Sequence, residues 1–453
     1  MDTGDTAWLM TSAALVLAMT APGLALFYGG MVRTKSVLNM MMMSYGALGL
    51  ISVLWVMFGY SMAFGNDIFH GLVGSPTEFF GLKGLIGTGT GDDLGVATHL
   101  VGTIPAPVFV GFQAVFAVIT VALISGAIAD RAKFGAWMTF AAIWGTIVYF
   151  PVAHWVFAFD GVTAGPDSKG GWIANQLKAI DFAGGTAVHI NAGAAGLALA
   201  FVLGKRLGWP KEPIRPHNLT LVMIGAGLLW FGWFGFNAGS AVAANGTAGV
   251  AWINTFVATG AAMLGWLLVE KIRDGHSTSL GAASGVVAGL VGITPSCSSV
   301  NPVGAIILGF VTAVACALAV GLKFRFGFDD SLDVVGVHLV GGLVGTLLVG
   351  FLATDVAPAG VNGLFYGGGV DQLWRQAVGA GAVLVYSFVL AYIIGTIIDK
   401  TMGFRLDEES ESMGIDSVVH AETAYDLTPV GGGGFRPSVG SASAARSDSE
   451  VTA

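Results

Sequence analysis

Residues 187–196 read AVHINAGAAG, and residues 336–345 read GVHLVGGLVG. Each stretch contains one histidine, His189 or His338, followed by glycines four and seven residues later. Both histidines lie in long apolar segments, where an ionisable side chain usually marks the path of an ion or a proton. Because many membrane transporters consist of two internal repeats with a site between them, the repeated pattern predicts a path between two halves of the chain.

The composition around these stretches is that of a membrane protein. Of the 453 residues, 54% are hydrophobic and only 11% are charged, and the mean hydropathy is +0.76. A helix needs roughly 20 mostly apolar residues to cross a bilayer. Charge-free stretches of about that length predict an all-α protein with eleven transmembrane helices, at 8–30, 37–64, 103–127, 136–158, 183–203, 219–241, 246–269, 280–295, 302–322, 334–354 and 377–398.

The basic residues predict the orientation of these helices, because cytoplasmic connections carry an excess of Lys and Arg. With the N-terminus outside and the C-terminus inside, 16 of the 20 Lys and Arg residues fall on the inner side. The other four are Lys83, Lys169, Lys178 and Arg375. No basic segment precedes the first span, so we expect that span to be kept rather than cleaved as a secretory signal.

The chain divides into a transmembrane domain, residues 1–398, and two further parts. Residues 399–427 mix acidic side chains with large apolar ones, and we predict a cytoplasmic regulatory tail that folds against the inner face. Residues 428–453 are rich in Gly, Ser and Ala and predict a disordered low-complexity tail, because they cannot bury enough apolar surface to fold. The net charge of −8 does not favour nucleic-acid binding.

Two other interpretations of the paired histidines compete with a path. An isolated buried histidine is a packing residue, hydrogen-bonded to a neighbouring helix, about as often as it is a functional residue. A metal site would need more ligands than two histidines. The repeat favours a path, because two neutral imidazoles can share a proton. We therefore predict neither a metal nor a cofactor, and we expect Cys297 and Cys316 to be packing residues.

Aromatic residues form the second candidate group. Phe112 and Phe116 are four residues apart, and Trp233, Phe236 and Ser240 follow a helical spacing, so each set lies on one helix face. Such a stripe is more often packing than a ligand site. The hydroxyl of Ser240 beside a π face nevertheless favours a site for a small cation.

Two aspartates precede the histidines, each near the start of a predicted span. Asp181 lies eight residues before His189, and Asp333 lies five residues before His338. An aspartate at such a position commonly accepts hydrogen bonds from the free N–H groups of the helix, and we favour this role for Asp333. For Asp181, a structural role and an electrostatic role for an entering cation are compatible.

Several longer motifs carry a resemblance to a known family. They read PGLALFYGG at 22–30, PVAHW at 151–155, DFAGGTAVHIN at 181–191, WFGFNAGS at 233–240 and DVVGVH at 333–338. In these motifs the chain resembles the ammonium transporters of the Amt/MEP/Rh family. The resemblance implies two inverted five-helix repeats plus a C-terminal helix, assembled as a homotrimer with one pore in each subunit.

The resemblance also implies roles for single residues. His189 and His338 match the twin pore histidines, and Trp233 matches a pore-lining indole. The stacked pair at the outer mouth corresponds to Phe116 and Phe236. Substrate-binding positions correspond to Ser240, Phe112 and the essential aspartate Asp181. Phe157 is also expected at the substrate-binding site. It stands where many relatives have a tryptophan, and it is a weaker π donor.

The tail resembles the same family through GIDSVVHAETAY at 414–425. In relatives this segment lies on the cytoplasmic face, couples subunits and receives PII-type signalling proteins. The implied regulatory residues are Gly414, Asp416, His420 and Tyr425.

The resulting hypothesis is ammonium transport across the plasma membrane of a bacterium or archaeon. Ammonium would be recruited at the outer aromatic site and deprotonated, and ammonia would cross an apolar pore lined by the twin histidines. An ammonium sensor that signals through a tail-bound PII partner is the alternative. A neutral-solute channel ranks lower, and an enzyme lower still, because no nucleophile and base pair is recognisable.

Overall fold

Helices account for nearly all of the regular structure. The computed structural model describes residues 1–86, 99–212 and 214–425. Within these residues, ten helices are long and apolar enough to cross a membrane, and one apolar helix is shorter. In chain order they are α1 (Thr3–Met31), α2 (Val37–Phe64), α3 (Ala106–Ile128), α4 (Phe134–Phe157), α5 (Gly185–Leu203), α6 (Leu219–Gly239), α7 (Gly246–Asp274), α8 (Ser279–Ile293), α9 (Pro302–Phe326), α10 (Val335–Leu352) and α11 (Asp371–Met402).

These helices correspond to the eleven predicted segments, with ends that differ by a few residues. Helix α8 has 15 residues, which is about 22 Å at the helical rise. It is shorter than a bilayer core, so the eleventh span stays a prediction. Helix α11 continues to Met402, past the predicted domain boundary at 398.

The connections contain little regular structure. Two short strands, β1 (Leu100–Val101) and β2 (Ile104–Pro105), form an antiparallel pair before α3. Single helical turns occur at Phe80–Leu82, Ile173–Leu177 and Leu364–Tyr366. The tail holds one short helix, α12 (Glu408–Met413), and a turn at Asp416–His420. The predicted low-complexity segment 428–453 lies outside the described residues.

Polar side chains fix where several spans begin. Asn218, Asn245 and Asn301 each accept a hydrogen bond from the backbone N–H three residues ahead, at the starts of α6, α7 and α9. These bonds satisfy N–H groups that have no partner inside a helix. Helix α9 also has Pro302 at its first position, where a missing N–H carries no penalty. Gly275 ends α7 in the left-handed region at φ +84°.

The two helices that carry His189 and His338 are irregular at the same place. Helix α5 begins with a π-helical turn, Gly185–Ile190, and continues as a regular α-helix. Helix α10 begins with a similar turn, Val335–Leu339. His189 and His338 lie in these turns. Similar turns occur at Trp55–Gly59 and Gly145–Tyr149, so a turn of this kind does not by itself mark a functional site.

Glycines allow α5 and α10 to cross closely beside the histidines. A methyl group on Gly193 would lie 2.5 Å from the backbone nitrogen of Leu339, the residue after His338. A methyl group on Gly342 would lie 2.9 Å from the carbonyl oxygen of Gly185. Both distances are shorter than van der Waals contact. The glycines of the repeated sequence pattern therefore bring the two histidine-bearing turns together.

Candidate pore between the two broken helices

The two histidines face each other across the crossing of α5 and α10. Nδ1 of His338 lies 3.3 Å from Nδ1 of His189. Their rings meet edge to edge, with centroids 5.3 Å apart and planes 22° apart, and both are almost fully buried. In a pair of neutral imidazoles one Nδ1 must donate and the other accept. The structure thus brings together the side chains that the sequence repeat selected.

A narrow lumen runs beside this pair. Its volume is about 10 Å³, close to the least that a single water molecule requires. Apart from both histidines and Trp233, the described residues that line it are apolar: Leu24, Phe27, Ile119, Leu123, Val188, Leu229, Phe236 and Val287. The lumen therefore suits one small uncharged molecule at a time.

Aromatic rings close one end of the lumen. The rings of Phe116 and Phe236 are stacked with centroids 4.1 Å apart, and Phe236 also lies beside His189. Trp233 stacks on His189 with centroids 5.4 Å apart. The indole N–H of Trp233 donates to the hydroxyl of Thr294 at 2.9 Å. This bond fixes the plane of the indole against the histidine.

A larger cavity lies beyond the stacked phenylalanines, at the end that the basic residues predict to be outer. It holds about 330 Å³, and Phe116, Phe157, Gln113 and Ser240 are among its lining residues. The hydroxyl of Ser240 donates to the carbonyl of Phe236 at 2.8 Å. Its oxygen lone pairs are therefore free to accept a hydrogen bond from a ligand.

Phe112 has a different position from the one that the resemblance implied. It is fully buried, lies 4.9 Å from Phe116 between ring centroids, and is not among the residues lining the outer cavity. Gln113, its neighbour on α3, lines the cavity instead. Phe112 therefore packs against the Phe116 ring without bordering the outer cavity.

The other end of the lumen opens into an inner cavity of about 410 Å³. His338 lines both this cavity and the lumen. Charged side chains line it as well, including Arg206, Lys323 and Asp333. The outer cavity, the phenylalanine pair, the lumen and the inner cavity follow one another in this order and form a candidate pore.

The carboxylate of Asp181 is fully occupied by backbone N–H groups. Oδ1 accepts from Gly184 and Gly185, and Oδ2 accepts from Thr186 and Ala187, at 2.7 to 3.0 Å. The side chain is buried. Asp181 therefore caps the start of α5, and its oxygens accept from the helix N-terminus rather than facing the cavity.

The capping role favoured for Asp333 is wrong. The Asp333 carboxylate pairs with Nζ of Lys323 at 2.6 Å. The cap of α10 is Asp330, whose Oδ1 and Oδ2 accept from the N–H groups of Val334 and Val335. Asp330 lies eight residues before His338, the same spacing as Asp181 and His189. That spacing was the signal in the sequence that identifies it.

A buried ion network braces the inner end of the pore. The guanidinium of Arg206 donates to both carboxylate oxygens of Asp329, at 2.8 and 2.9 Å, and contacts Asp130 at 3.2 Å. Burial alone would raise the pKa of Asp329, but Arg206 outweighs it and lowers this pKa. Nothing in the local sequence pairs these residues, because they come from connections far apart in the chain.

The tail packs on the inner ends of the spans. Asp416 accepts hydrogen bonds from the N–H groups of Leu38 and Asn39 at the start of α2, at 3.0 and 2.8 Å. The imidazole of His420 lies 3.0 Å from the side-chain oxygen of Asn39. Gly414 has φ +119°, and a methyl group there would lie 2.7 Å from Lys35. Gly414, Asp416 and His420 therefore hold the tail against the connection before α2 and the start of that helix.

Two further contacts join the tail to the connection between α5 and α6. The Tyr425 hydroxyl lies 3.0 Å from Nε2 of His217. Glu411 accepts from the N–H of Leu207 at 2.7 Å and from the guanidinium of Arg405 at 2.8 Å. Since residues 209–212 line the inner cavity, the tail contacts the segment that borders this cavity.

Among the described residues, no group of three or more His, Cys, Asp or Glu side chains could hold a metal ion. Cys297 and Cys316 are buried free thiols.

Comparison with known proteins identifies the family. A model of the Ammonium Transporter Family matches residues 7–425. A protein named ammonium transporter from Mycobacterium tuberculosis is 63% identical over 450 residues, 97% of this chain and 93% of the relative. One from Bacillus subtilis is 46% identical over 429 residues, 94% and 99% of the two chains.

Solved structures agree with the sequence relatives. The crystal structure of Saccharomyces cerevisiae Mep2 has 33% identity and a TM-score of 0.78, and the match covers 90% of this chain and 91% of that one. A structure named Sensor Amt Protein has 28% identity and a TM-score of 0.83, with coverage of 92% and 98%. With the family model matching nearly the whole described chain, this protein belongs to the ammonium transporter family.

Proposed function

We propose that this protein carries ammonium across the plasma membrane of a bacterial or archaeal cell by passing ammonia and its proton separately through the candidate pore. Membership of the ammonium transporter family supports ammonium as the substrate. The observation that carries the mechanism is the 10 Å³ lumen, in which His189 and His338 face each other between apolar walls.

The energetics exclude passage of the intact ion through such a lumen. Moving a monovalent ion from water into a low-dielectric medium costs on the order of 20 kcal/mol in the Born limit and several kcal/mol after relaxation. Each cation–π contact returns only about 0.5–2 kcal/mol. Ammonium can release a proton and leave a small neutral molecule, whereas potassium cannot. Selectivity for ammonium over potassium follows from this difference.

Recruitment takes place in the outer cavity. The faces of Phe116 and Phe157 and the acceptor oxygen of Ser240 line it together, which is a suitable set for a small cation with N–H donors. The stacked Phe116 and Phe236 separate this cavity from the lumen. At this pair ammonium gives its proton to Nε2 of His189, whose ring lies beside Phe236. Beyond the pair, the described residues that line the lumen carry no fixed charge to stabilise the ion.

The histidines relay the proton. With Nδ1 to Nδ1 at 3.3 Å, a proton can pass from one ring to the other along the shared hydrogen bond. Nε2 of His189 is buried and has no hydrogen-bond partner within the described part of the chain, so it is available to a molecule in the lumen. If the proton follows this route, transport is electrogenic.

The tail and the assembly complete the proposal. The chain forms a homotrimer with one pore per subunit, with its N-terminus outside and its C-terminus inside, and lipid surrounds its apolar faces. The contacts of Asp416, His420 and Tyr425 with the ends of the spans support a regulatory tail. A cytoplasmic PII-type protein is the partner proposed for this surface.

A second candidate function is an ammonium sensor that signals through such a partner. It is favoured by the structural likeness to a protein named Sensor Amt Protein and by the contact between the tail and the segment bordering the inner cavity. A sensor would bind ammonium without sustained flux.

The test is the current that an ammonium jump elicits in proteoliposomes, with a potassium jump for comparison. The variants are His189→Leu with His338→Leu, and His276→Leu, which makes the same change at an exposed position. We expect an ammonium current in the wild type and the His276 variant, and its loss, or a potassium current, in the double variant. An unchanged double variant would rule out the relay. Ammonium binding without current or ammonia flux would establish the sensor.

A further inference from the structure

The two pore histidines share more than their sequence pattern. Each follows a buried aspartate by eight residues, Asp181 before His189 and Asp330 before His338. In both cases Oδ1 accepts the N–H four residues ahead, and Oδ2 accepts the N–H five residues ahead. In both helices, the two carboxylate oxygens of an aspartate therefore bind the backbone at the start of the histidine-bearing turn.

The hydrogen bonds of the Asp330 carboxylate determine the position of His338, which we call the inner histidine because it also lines the inner cavity. Val335, which donates to Oδ2 of Asp330 at 2.8 Å, is three residues before His338, or about one helical turn. Holding that N–H fixes the rotation of the turn about its axis. A buried carboxylate accepting two backbone N–H groups also lies in the favourable field of the helix N-terminus.

The surroundings of Asp330 differ from those of Asp181. Asp181 accepts from four N–H groups, whereas Asp330 accepts from two. The backbone carbonyl of Asp330 instead accepts from Nζ of Lys323 at 3.0 Å, and the same lysine pairs with Asp333. The inner cap is thus anchored by a lysine that borders the inner cavity.

We propose that Asp330 is a positioning residue that holds His338 against His189, and so does for the inner histidine what Asp181 does for the outer one. The proposal rests on the proposed function, in which the histidine pair lies on the conducted route. It assigns to Asp330 an effect on ammonium selectivity that acts through His338 rather than through the stability of the fold.

The experiment is a double-mutant cycle between Asp330→Asn and His338→Ala. The asparagine keeps the size of the side chain and one acceptor oxygen but loses the charge and the second acceptor. The readout is the ratio of ammonium to potassium current in proteoliposomes. Asp355→Asn, the same change at an exposed position, is the matched control and should leave the ratio unchanged.

We expect Asp330→Asn alone to lower the ratio by roughly tenfold or more, as when a reacting group is displaced by a fraction of an ångström to 1 Å. In the His338→Ala background the further change should be smaller than about twofold, because the residue through which Asp330 acts is gone. Additive effects in the two backgrounds would overturn the proposal. So would a wild-type ratio in Asp330→Asn.

A second measurement keeps failure of the inference distinct from failure of the proposed function. If the wild type gives no ammonium-selective current, the proposed function fails, and the position of His338 is then read from ¹⁵N spectra of labelled histidines. The ring-nitrogen signals of the hydrogen-bonded pair should shift in Asp330→Asn and not in Asp355→Asn. Unchanged signals would reject the positioning role. If Asp330→Asn does not fold, Asp330→Ser, which retains a capping oxygen, replaces it in both measurements.

Discussion

Adding one methyl group at the crossing of α5 and α10 should separate the two pore histidines. The change is Gly193→Ala. The new methyl carbon would lie 2.5 Å from the Leu339 nitrogen and 2.6 Å from its Cβ. Ordinary contact between such atoms is about 3.5 Å, so the helices must move apart by about 1 Å. Leu339 follows His338 directly, so the histidine moves with it.

The size of the effect follows from these distances. The two Nδ1 atoms are now 3.3 Å apart. A shift of about 1 Å would separate them by more than about 3.6 Å, at which no hydrogen bond remains. Overpacking of this kind costs about 1–3 kcal/mol of stability. At Gly342 the nearest atom to a new methyl is 2.9 Å away, so Gly342→Ala should have a smaller effect of the same kind.

Gly227→Ala is the control, because a methyl group there would meet no atom within 4 Å. Alanine favours a helix over glycine by about 1 kcal/mol, so this variant should melt at the wild-type temperature or slightly above it. The assays are thermal unfolding in detergent and the ratio of ammonium to potassium current in proteoliposomes. We expect both quantities to fall in the order Gly227→Ala, Gly342→Ala, Gly193→Ala. A Gly193→Ala protein that matches the control in both assays would refute the reasoning.

Three other variants test the polar contacts around the pore. Thr294→Val leaves the indole N–H of Trp233 buried without a partner, which should lower stability by about 1–3 kcal/mol and reduce ammonium selectivity, whereas Thr294→Ser should retain both. Burial raises the pKa of Asp330 from 3.8 to about 6. The folded protein therefore holds this proton more tightly than the unfolded chain, and stability falls as the pH rises between these values. The stability lost in Asp330→Asn should thus be about 2 kcal/mol smaller at about pH 8 than at about pH 4, measured by thermal unfolding. Arg206→Met leaves the buried charge of Asp329 without its main partner and should cost about 3–5 kcal/mol in the same assay.

Much of the architecture can be predicted from the sequence, because a membrane imposes a simple pattern on the chain. Long apolar segments without charges identify the spans, and the structure has a helix at each of the predicted segments. The repeated histidine pattern also predicted a path between two halves of the chain. His189 and His338 are in contact as expected.

Three features of the candidate site were not predicted from the sequence, because they depend on contacts between distant residues or on the direction in which a side chain points. Phe112 and Phe116 share a helix face, but only Phe116 borders the outer cavity. The acceptor for Trp233 is Thr294, 61 residues away. Asp333 lies just before the predicted span and is the expected cap of α10, whereas the N–H groups of Val334 and Val335 donate to Asp330. Comparing the spacing of Asp181 and His189 with the second half would have selected Asp330.

The hydrogen bonds of the two capping aspartates explain how negatively charged side chains can lie so near an apolar lumen. A carboxylate exposed to the lumen would bind a cation and hold it there, since the interaction of two charges at close range is strong in a low-dielectric medium. The lone pairs of Asp181 and Asp330 are instead directed at backbone N–H groups, whose dipoles compensate the negative charge. Among the described residues this leaves the two histidines and Trp233 as the polar side chains that line the lumen. An imidazole can accept and return a proton, so in the proposed mechanism the histidines would offer hydrogen bonds to ammonia without forming a trap for the ion.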